Sequence, residues 1–177
     1  HAVAAERAPV PRSAGGSAGC QNAVAASCPG CKLTVLNVTG TQIASNGVTS
    51  AIVSALQRDP SIGYVASSDI ALAPGLPAAL KAANLTQVKI VGGAASPTDE
   101  QNVRDGTVSA VMKNDLVYCG WLMMDALLRH AAGLSFPAND GGVPQQILTK
   151  STIAPAGTSE LVPAGYPDLF KKLWKLG

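Results

Sequence analysis

Apolar and polar positions along this chain fall into blocks whose period switches between strand-like and helical. KLTVLNVT (32–39) is β-branched and apolar, the pattern of a strand. SNGVTSAIVSALQRDP (45–60) places Val48, Ile52, Val53 and Leu56 at helical spacing, with Ser45 as a candidate cap and Asp59-Pro60 as a stop. IGYVAS (62–67) is a second strand, and GLPAALKAANL (75–85) is Ala-rich and helical, with Pro77 tolerated in the first turn. QVKIVGG (87–93) and TVSAVMK (107–113) read as strands. The helix between them, PTDEQNVRDG (97–106), has acidic residues early and Gly106 as its stop. LVYCGWLMMDALLRHAAG (116–133) carries the strongest helical signal. QQILTKSTI (145–153) is a further strand, and YPDLFKKLWKLG (166–177) an amphipathic helix. HAVAAERAPVPRSAGGSAG (1–19) is rich in Ala, Pro, Gly and Ser and reads as an extended linker with a loop. A short helix follows from about Ala18 to Ser27, ended by Pro29-Gly30.

Helices and strands alternating at this spacing predict an α/β fold: three layers, α/β/α, around a mostly parallel sheet with right-handed crossovers. Open sheets of this kind bind ligands beyond the carboxyl ends of their strands. The stretch YVASSDIALAPGL (64–76) therefore stands out. Its strand breaks into Ser67-Ser68-Asp69, three small polar residues at such an end. Two readings are compatible: Ser68 or Asp69 caps the following helix, or these residues meet a ligand.

Composition narrows the classes. The chain has 177 residues, 47% of them hydrophobic and 14% charged, enough to bury a core of Ala, Val, Leu and Ile. The net charge of +2, with no basic run interleaved with aromatics, argues against nucleic acid as a partner. No apolar run reaches the length of a membrane span. No signal peptide is visible, and a start at His1 is compatible with a processed, exported product. Four cysteines, Cys20, Cys28, Cys31 and Cys119, permit disulfides in an oxidising compartment.

Further motifs carry a resemblance. Ala82-Ala83-Asn84, Val88 to Gly92, Val103 to Gly106 and Ala126 to Gly133 follow one another at characteristic spacing, and Cys20 to Val24 fits an opening helix. Together with QQILTKSTI, this order resembles the second lobe of type I periplasmic binding proteins, the ribose-binding-like solute-binding subunits of ABC importers. The resemblance covers most of residues 14 to 153. It implies a single lobe of a periplasmic-binding-protein-like fold, with a linker or hinge over 1–17, an α/β domain over 18–153 including a lobe-crossing helix near 115–133, and a tail over 154–177. It further implies a small polar ligand, a sugar or sugar-like compound, held in a cleft between two lobes. It also implies a membrane permease as partner, an extracytoplasmic location, and a binding role with no cofactor, metal or reaction chemistry expected. The first lobe would lie before His1.

The resemblance places ligand contacts at Ser67, Ser68, Asp69, the backbone of Gly93 and Ala94, and Lys113 at the lobe crossing, with Arg12 in a more loosely matched first loop. The sugar-binding pattern is altered: Ser68 stands for an Asn, Ala94 for a carboxylate, and Lys113 for a Gln or Asn. These residues give fewer bidentate partners for paired hydroxyls, and Lys113 also suits a carboxylated or phosphorylated ligand. The plain alternative for Lys113 and Arg12 is an exposed surface cation.

Two rival classes remain. The same fold serves as the effector-binding domain of LacI-like transcriptional regulators. A small flavodoxin-like redox protein would use Cys28-Pro29-Gly30-Cys31, but here the CxxC ends a helix, where no helix N-terminus lowers a thiol pKa. A structural disulfide is the simpler reading, with Cys28, Cys31 and Cys20 all candidates. Cys119 is expected to be buried. His1 and His130 are isolated in sequence, and no zinc spacing is present. Trp121, Met123 and Met124 are expected to pack in the core or against the missing lobe, and Phe170 and Trp174 form an apolar face seeking a partner.

Overall fold

Six strands form one sheet in the order β2-β1-β3-β4-β5-β6. They are β1 (Ala2–Arg7), β2 (Leu33–Val38), β3 (Tyr64–Ser67), β4 (Lys89–Gly92), β5 (Ala110–Asn114) and β6 (Gln145–Thr149). β1 pairs in parallel with both β2 and β3, β3 pairs in parallel with β4, and β4 with β5. The helices are α1 (Pro11–Ser27), α2 (Gly40–Ala44), α3 (Gly47–Arg58), α4 (Leu76–Ala82), α5 (Pro97–Asp105), α6 (Leu116–Ala131) and α7 (Tyr166–Leu173). The structure, a computed structural model, describes residues 1–7, 11–135, 142–157 and 163–175, with 6–7 and 11–17 as backbone only. The architecture is the three-layer α/β/α arrangement expected from the sequence.

The largest departure from expectation is at the N-terminus. The stretch read as a linker forms β1 and the first turns of α1. β1 is an interior strand, with Val3 and Ala5 fully buried. Two parallel neighbours satisfy its backbone, which compensates for the low strand preference of Ala. A second departure is α2. Thr39 accepts from the Gln42 backbone N–H while the Gln42 side chain accepts from the Thr39 N–H, a capping box that opens this short helix. Ser45 therefore ends α2, its hydroxyl donating to the Gln42 carbonyl, and does not cap α3.

The strand order reverses around β1. α1 carries the chain from β1 to the edge strand β2, and α3 carries it back past β1 to β3. Right-handed crossovers then put α1 on one face and α3, α4 and α5 on the other. Val48, Ile52 and Leu56 of α3, with Leu76 and Leu80 of α4 and Val103 of α5, are buried with the strand residues Val3, Val65 and Ile90. Val3, Val65 and Ile90 stand opposite one another in the ladder, so one row of side chains forms the centre of this core.

The chain divides into two compact units. The first comprises His1–Met112 and Ile147–Ile153, the second Lys113–Gln146 and Ala154–Gly177. In the second, the tail finds the partner its apolar face requires: α7 packs on α6. Trp121 stacks on Trp174 with centroids 5.2 Å apart and on Phe170 at 5.7 Å, while Tyr118 meets the buried Tyr166 edge-on at 4.9 Å. Asp125, 4% exposed, accepts from Arg129 Nε at 2.6 Å and from Trp174 Nε1 at 2.9 Å. Cys119 on α6 is partly exposed, not buried as expected.

Burial alone would raise the Asp125 pKa, but the Arg129 and Trp174 hydrogen bonds and the Arg129 charge outweigh it and hold the carboxyl below its usual value. A depressed folded pKa adds stability that is complete above the unfolded pKa and lost as pH falls through the folded one. Trp fluorescence reporting α6–α7 docking should therefore stay level down to pH ~4 and change only below it. Asp125→Asn should lower stability to urea by about 1–2 kcal/mol at neutral pH. A transition in fluorescence centred well above the carboxyl range would contradict this role.

The cysteines resolve among the three candidates: Cys28 bonds to Cys31, and Cys20 and Cys119 lie outside any disulfide. The bridge closes the turn from α1 to β2, where the Cys31 N–H donates to the Cys28 carbonyl. Thiol titration of the denatured, unreduced chain should give two thiols, from Cys20 and Cys119, and four after reduction.

Candidate functional site

Parallel strands joined by right-handed crossovers leave an open crevice where the connections diverge to opposite faces. Here that point lies between the carboxyl ends of β1 and β3, and the residue that follows β3 is Ser68. The ladder fixes what stands there. Ala5, Ser67, Gly92 and Val111 share one row across β1, β3, β4 and β5. Ser68 and Gly93 follow one residue beyond, at the carboxyl edge.

Three hydrogen bonds and two glycines build this edge. The Gly93 N–H donates to the Ser67 carbonyl at 2.9 Å, and the Ile70 N–H donates to the Gly93 carbonyl at 3.0 Å. The Ala95 N–H donates to the Met112 carbonyl at 3.2 Å. A Cβ on Gly92 would lie 2.8 Å from Cβ of Ile70, and one on Gly93 would run into the Ser68 carbonyl. Gly93 thus permits a close backbone approach, and Gly92 makes room for the Ile70 side chain. Ala94 then turns through φ 54°, a left-handed conformation that costs a non-glycine residue about 1 kcal/mol.

The polar side chains divide into committed and uncommitted groups. The Ser67 hydroxyl donates to the Asp69 carbonyl at 2.7 Å, and Asp69 Oδ1 accepts from the Ala71 N–H at 3.0 Å, capping the 3-10 turn Ile70–Leu72. Capping thus accounts for one oxygen of Asp69, and a bond within the turn for the Ser67 hydroxyl. Ser68 is exposed, and neither its hydroxyl nor Asp69 Oδ2 forms a hydrogen bond among the described residues. Gly93 uses both its N–H and its carbonyl internally, so of the expected backbone pair the exposed Ala94 faces solvent.

The remaining expected residues stand elsewhere in the chain. Lys113 and Asn114 end β5, in the segment where the chain passes into the second unit. Sequence reasoning singled out Lys113. Asn114 was missed, although its side-chain oxygen is buried and has no hydrogen-bond partner among the described residues. The sign was an amide closing the apolar strand AVMKN, on the opposite strand face from Lys113. Arg12 lies on α1, and its side chain is outside the described residues.

One further constellation was not legible in sequence. His1 Nδ1 lies 2.7 Å from the Ser61 hydroxyl, which donates to Asp59 Oδ1 at 2.6 Å. The Ser61 hydroxyl bond holds the Asp59 carboxyl below its usual value, and Ser61's one proton is directed at Asp59. His1 Nδ1 must then donate to Ser61 and cannot serve as its base, the reverse of a nucleophilic triad. Among the described residues no cluster of three or more His, Cys, Asp or Glu side chains could hold a metal ion.

Neither a protein-family model nor a curated protein matches the sequence. Solved structures do match in fold. A carbohydrate transporter solute-binding protein from Agrobacterium radiobacter, in complex with D-arabinose, has TM-score 0.73 at 18% identity, over 86% of this chain and 52% of that one. The substrate-binding protein of a sugar ABC transport system from Bordetella parapertussis has TM-score 0.71 at 23% identity, over 90% and 55%. A protein assigned as a LacI transcriptional regulator from Bacteroides fragilis has TM-score 0.68 at 15% identity, over 86% and 53%.

Gly93→Ala should lower stability to urea by about 1–3 kcal/mol, because the Ser68 carbonyl must move. Gly40→Ala, with open space around it, should change stability by less than about 0.5 kcal/mol. Equal effects at the two positions would remove the argument for close approach at the strand edge. The likeness to these structures establishes the fold: that of ABC-transporter sugar-binding proteins and a LacI-like regulator, of which this chain spans about half.

Proposed function

We propose that this chain is part of a solute-binding protein that delivers a small polar ligand, a sugar or sugar-like compound, to the membrane permease of an ABC importer. The observation that carries this reading is the uncommitted polar edge at the point of strand reversal. There Ser68 and the second oxygen of Asp69 can accept and donate to paired hydroxyls, with the Ala94 backbone beside them. Lys113, placed in the ligand set by the resemblance, stands as a further candidate of this proposal and favours a ligand with an acidic group. Binding and release, not reaction chemistry, is the role.

A ligand held here needs a second wall, since pockets enclose most of a small molecule's surface. The second unit, taken by itself, also has a surface that calls for a partner. On α6, Leu116, Val117, Met123 and Leu127 are 76, 62, 68 and 58% exposed, an apolar face larger than single surface residues explain. A first lobe from outside this sequence would cover it. The Cys28–Cys31 disulfide suits the oxidising, extracytoplasmic setting of an importer subunit. The second reading, an effector-binding domain of a LacI-like regulator, rests on the fold likeness to such a protein.

The test is a thermal-shift screen of the full gene product against pentoses, hexoses and their acidic derivatives. One class should raise Tm by about 5–10 °C at a concentration near 100 Kd. Ser68→Trp, at an exposed position, should leave the unliganded Tm unchanged and abolish the shift. Sequence-specific DNA binding released by the same ligand would favour the regulator. No shift with any compound, or a shift indifferent to Ser68→Trp, would overturn the site.

A further inference from the structure

A feature on the helix-covered face, which runs from the amino ends of β4 and β5 to Ile70 and Ala71 beside the strand-end edge, points to a second binding surface. α4 packs against α3, but on its other side it does not close against α5. Two adjoining cavities of about 460 and 390 Å³ lie between α4 and α5, and both are lined by Pro77, Ala78, Ile90 and Asn102. They form a continuous trench whose floor, Ile90 and Val108, belongs to the core. The seven residues of α4 span about 10 Å, room for about three residues of extended peptide.

The charges that line the larger cavity are of one sign. Lys81 and Lys89 line the larger cavity, and the Lys150 ammonium lies 3.7 Å from where a Cβ on Gly106 would stand. No carboxylate lines this cavity, and none of these three lysines forms an ion pair among the described residues. The smaller cavity carries one carboxylate, Asp99, whose Oδ2 accepts from the Ser96 N–H and hydroxyl at 2.9 and 2.6 Å, so the cationic character belongs to the larger cavity. Thr86, Thr107 and Ser109 add hydroxyls at the basic end.

We propose that the α4–α5 trench docks an acidic segment of a partner protein, with an apolar side chain seated over Ile90 and carboxylates directed to Lys81 and Lys89. An apolar floor with a cationic rim matches such a segment in both respects. A small anion would use the lysines and leave the apolar floor unoccupied. The lysine end of this surface shares no residue with the proposed ligand edge, and its test does not depend on that reading.

The experiment selects peptides from a random displayed library on the intact chain and measures synthesised winners by fluorescence anisotropy at low and high salt. The proposal expects peptides with Asp or Glu beside an apolar residue, bound more weakly as salt rises. The double substitution Lys81→Glu/Lys89→Glu should weaken them at least about tenfold. Ala78→Trp, at an exposed position of the trench wall, should abolish binding with Tm unchanged. Winners without acidic residues, or binding indifferent to both variants, overturn it. So does a library that yields no binder while inorganic tripolyphosphate binds through the same lysines, which would mark a small-anion site.

Discussion

The parallel pairing of β1 with two neighbours is the constraint on which the rest of this structure depends. β1 lies between β2 and β3, so the chain must leave it in one direction and return across it in the other. That reversal sends successive crossovers to opposite faces and opens the crevice beside the carboxyl end of β3. Without β1, β2 and β3 would lack a common neighbour, and Ser67 to Asp69 would be only a turn after a strand.

The edge itself is shaped by close approach. Because Gly92 and Gly93 have no side chains, Ile70 and the Ser68 carbonyl can sit against the end of β4. The hydrogen bonds between Gly93, Ser67 and Ile70 then lock the turn and absorb the groups that could otherwise reach a ligand. What is left outward is small: the Ser68 hydroxyl, one oxygen of Asp69 and the strained backbone of Ala94. A site of this kind offers few polar contacts on a rigid frame and needs a covering wall to bind tightly.

Much of the fold was legible where hydrophobic period and punctuation agreed. α5 begins with Ser96-Pro97 and ends at Gly106, φ 79°, as its sequence signals require. The amphipathic tail was readable as a helix, and its need for a partner is met by Trp121 and Tyr118. β1 was not legible because AVAAER is short and Ala-rich, and its strand state comes from two neighbours distant in sequence. The division of labour among Ser67, Ser68 and Asp69 was equally hidden. Residue types suggested both capping and binding, and only the hydrogen bonds show which atoms are already used. Asn114 was overshadowed by the charge of Lys113, although burial makes its amide the more demanding group.

The most direct measurement is a backbone amide NMR titration of the chain with the sugar class identified by thermal shift. The account predicts shifts centred on Ser68, Asp69 and Ala94, with the far strand ends at Ser61 to Tyr64 unmoved. Shifts centred at those far ends or on α1, with Ser68 and Ala94 silent, would contradict it.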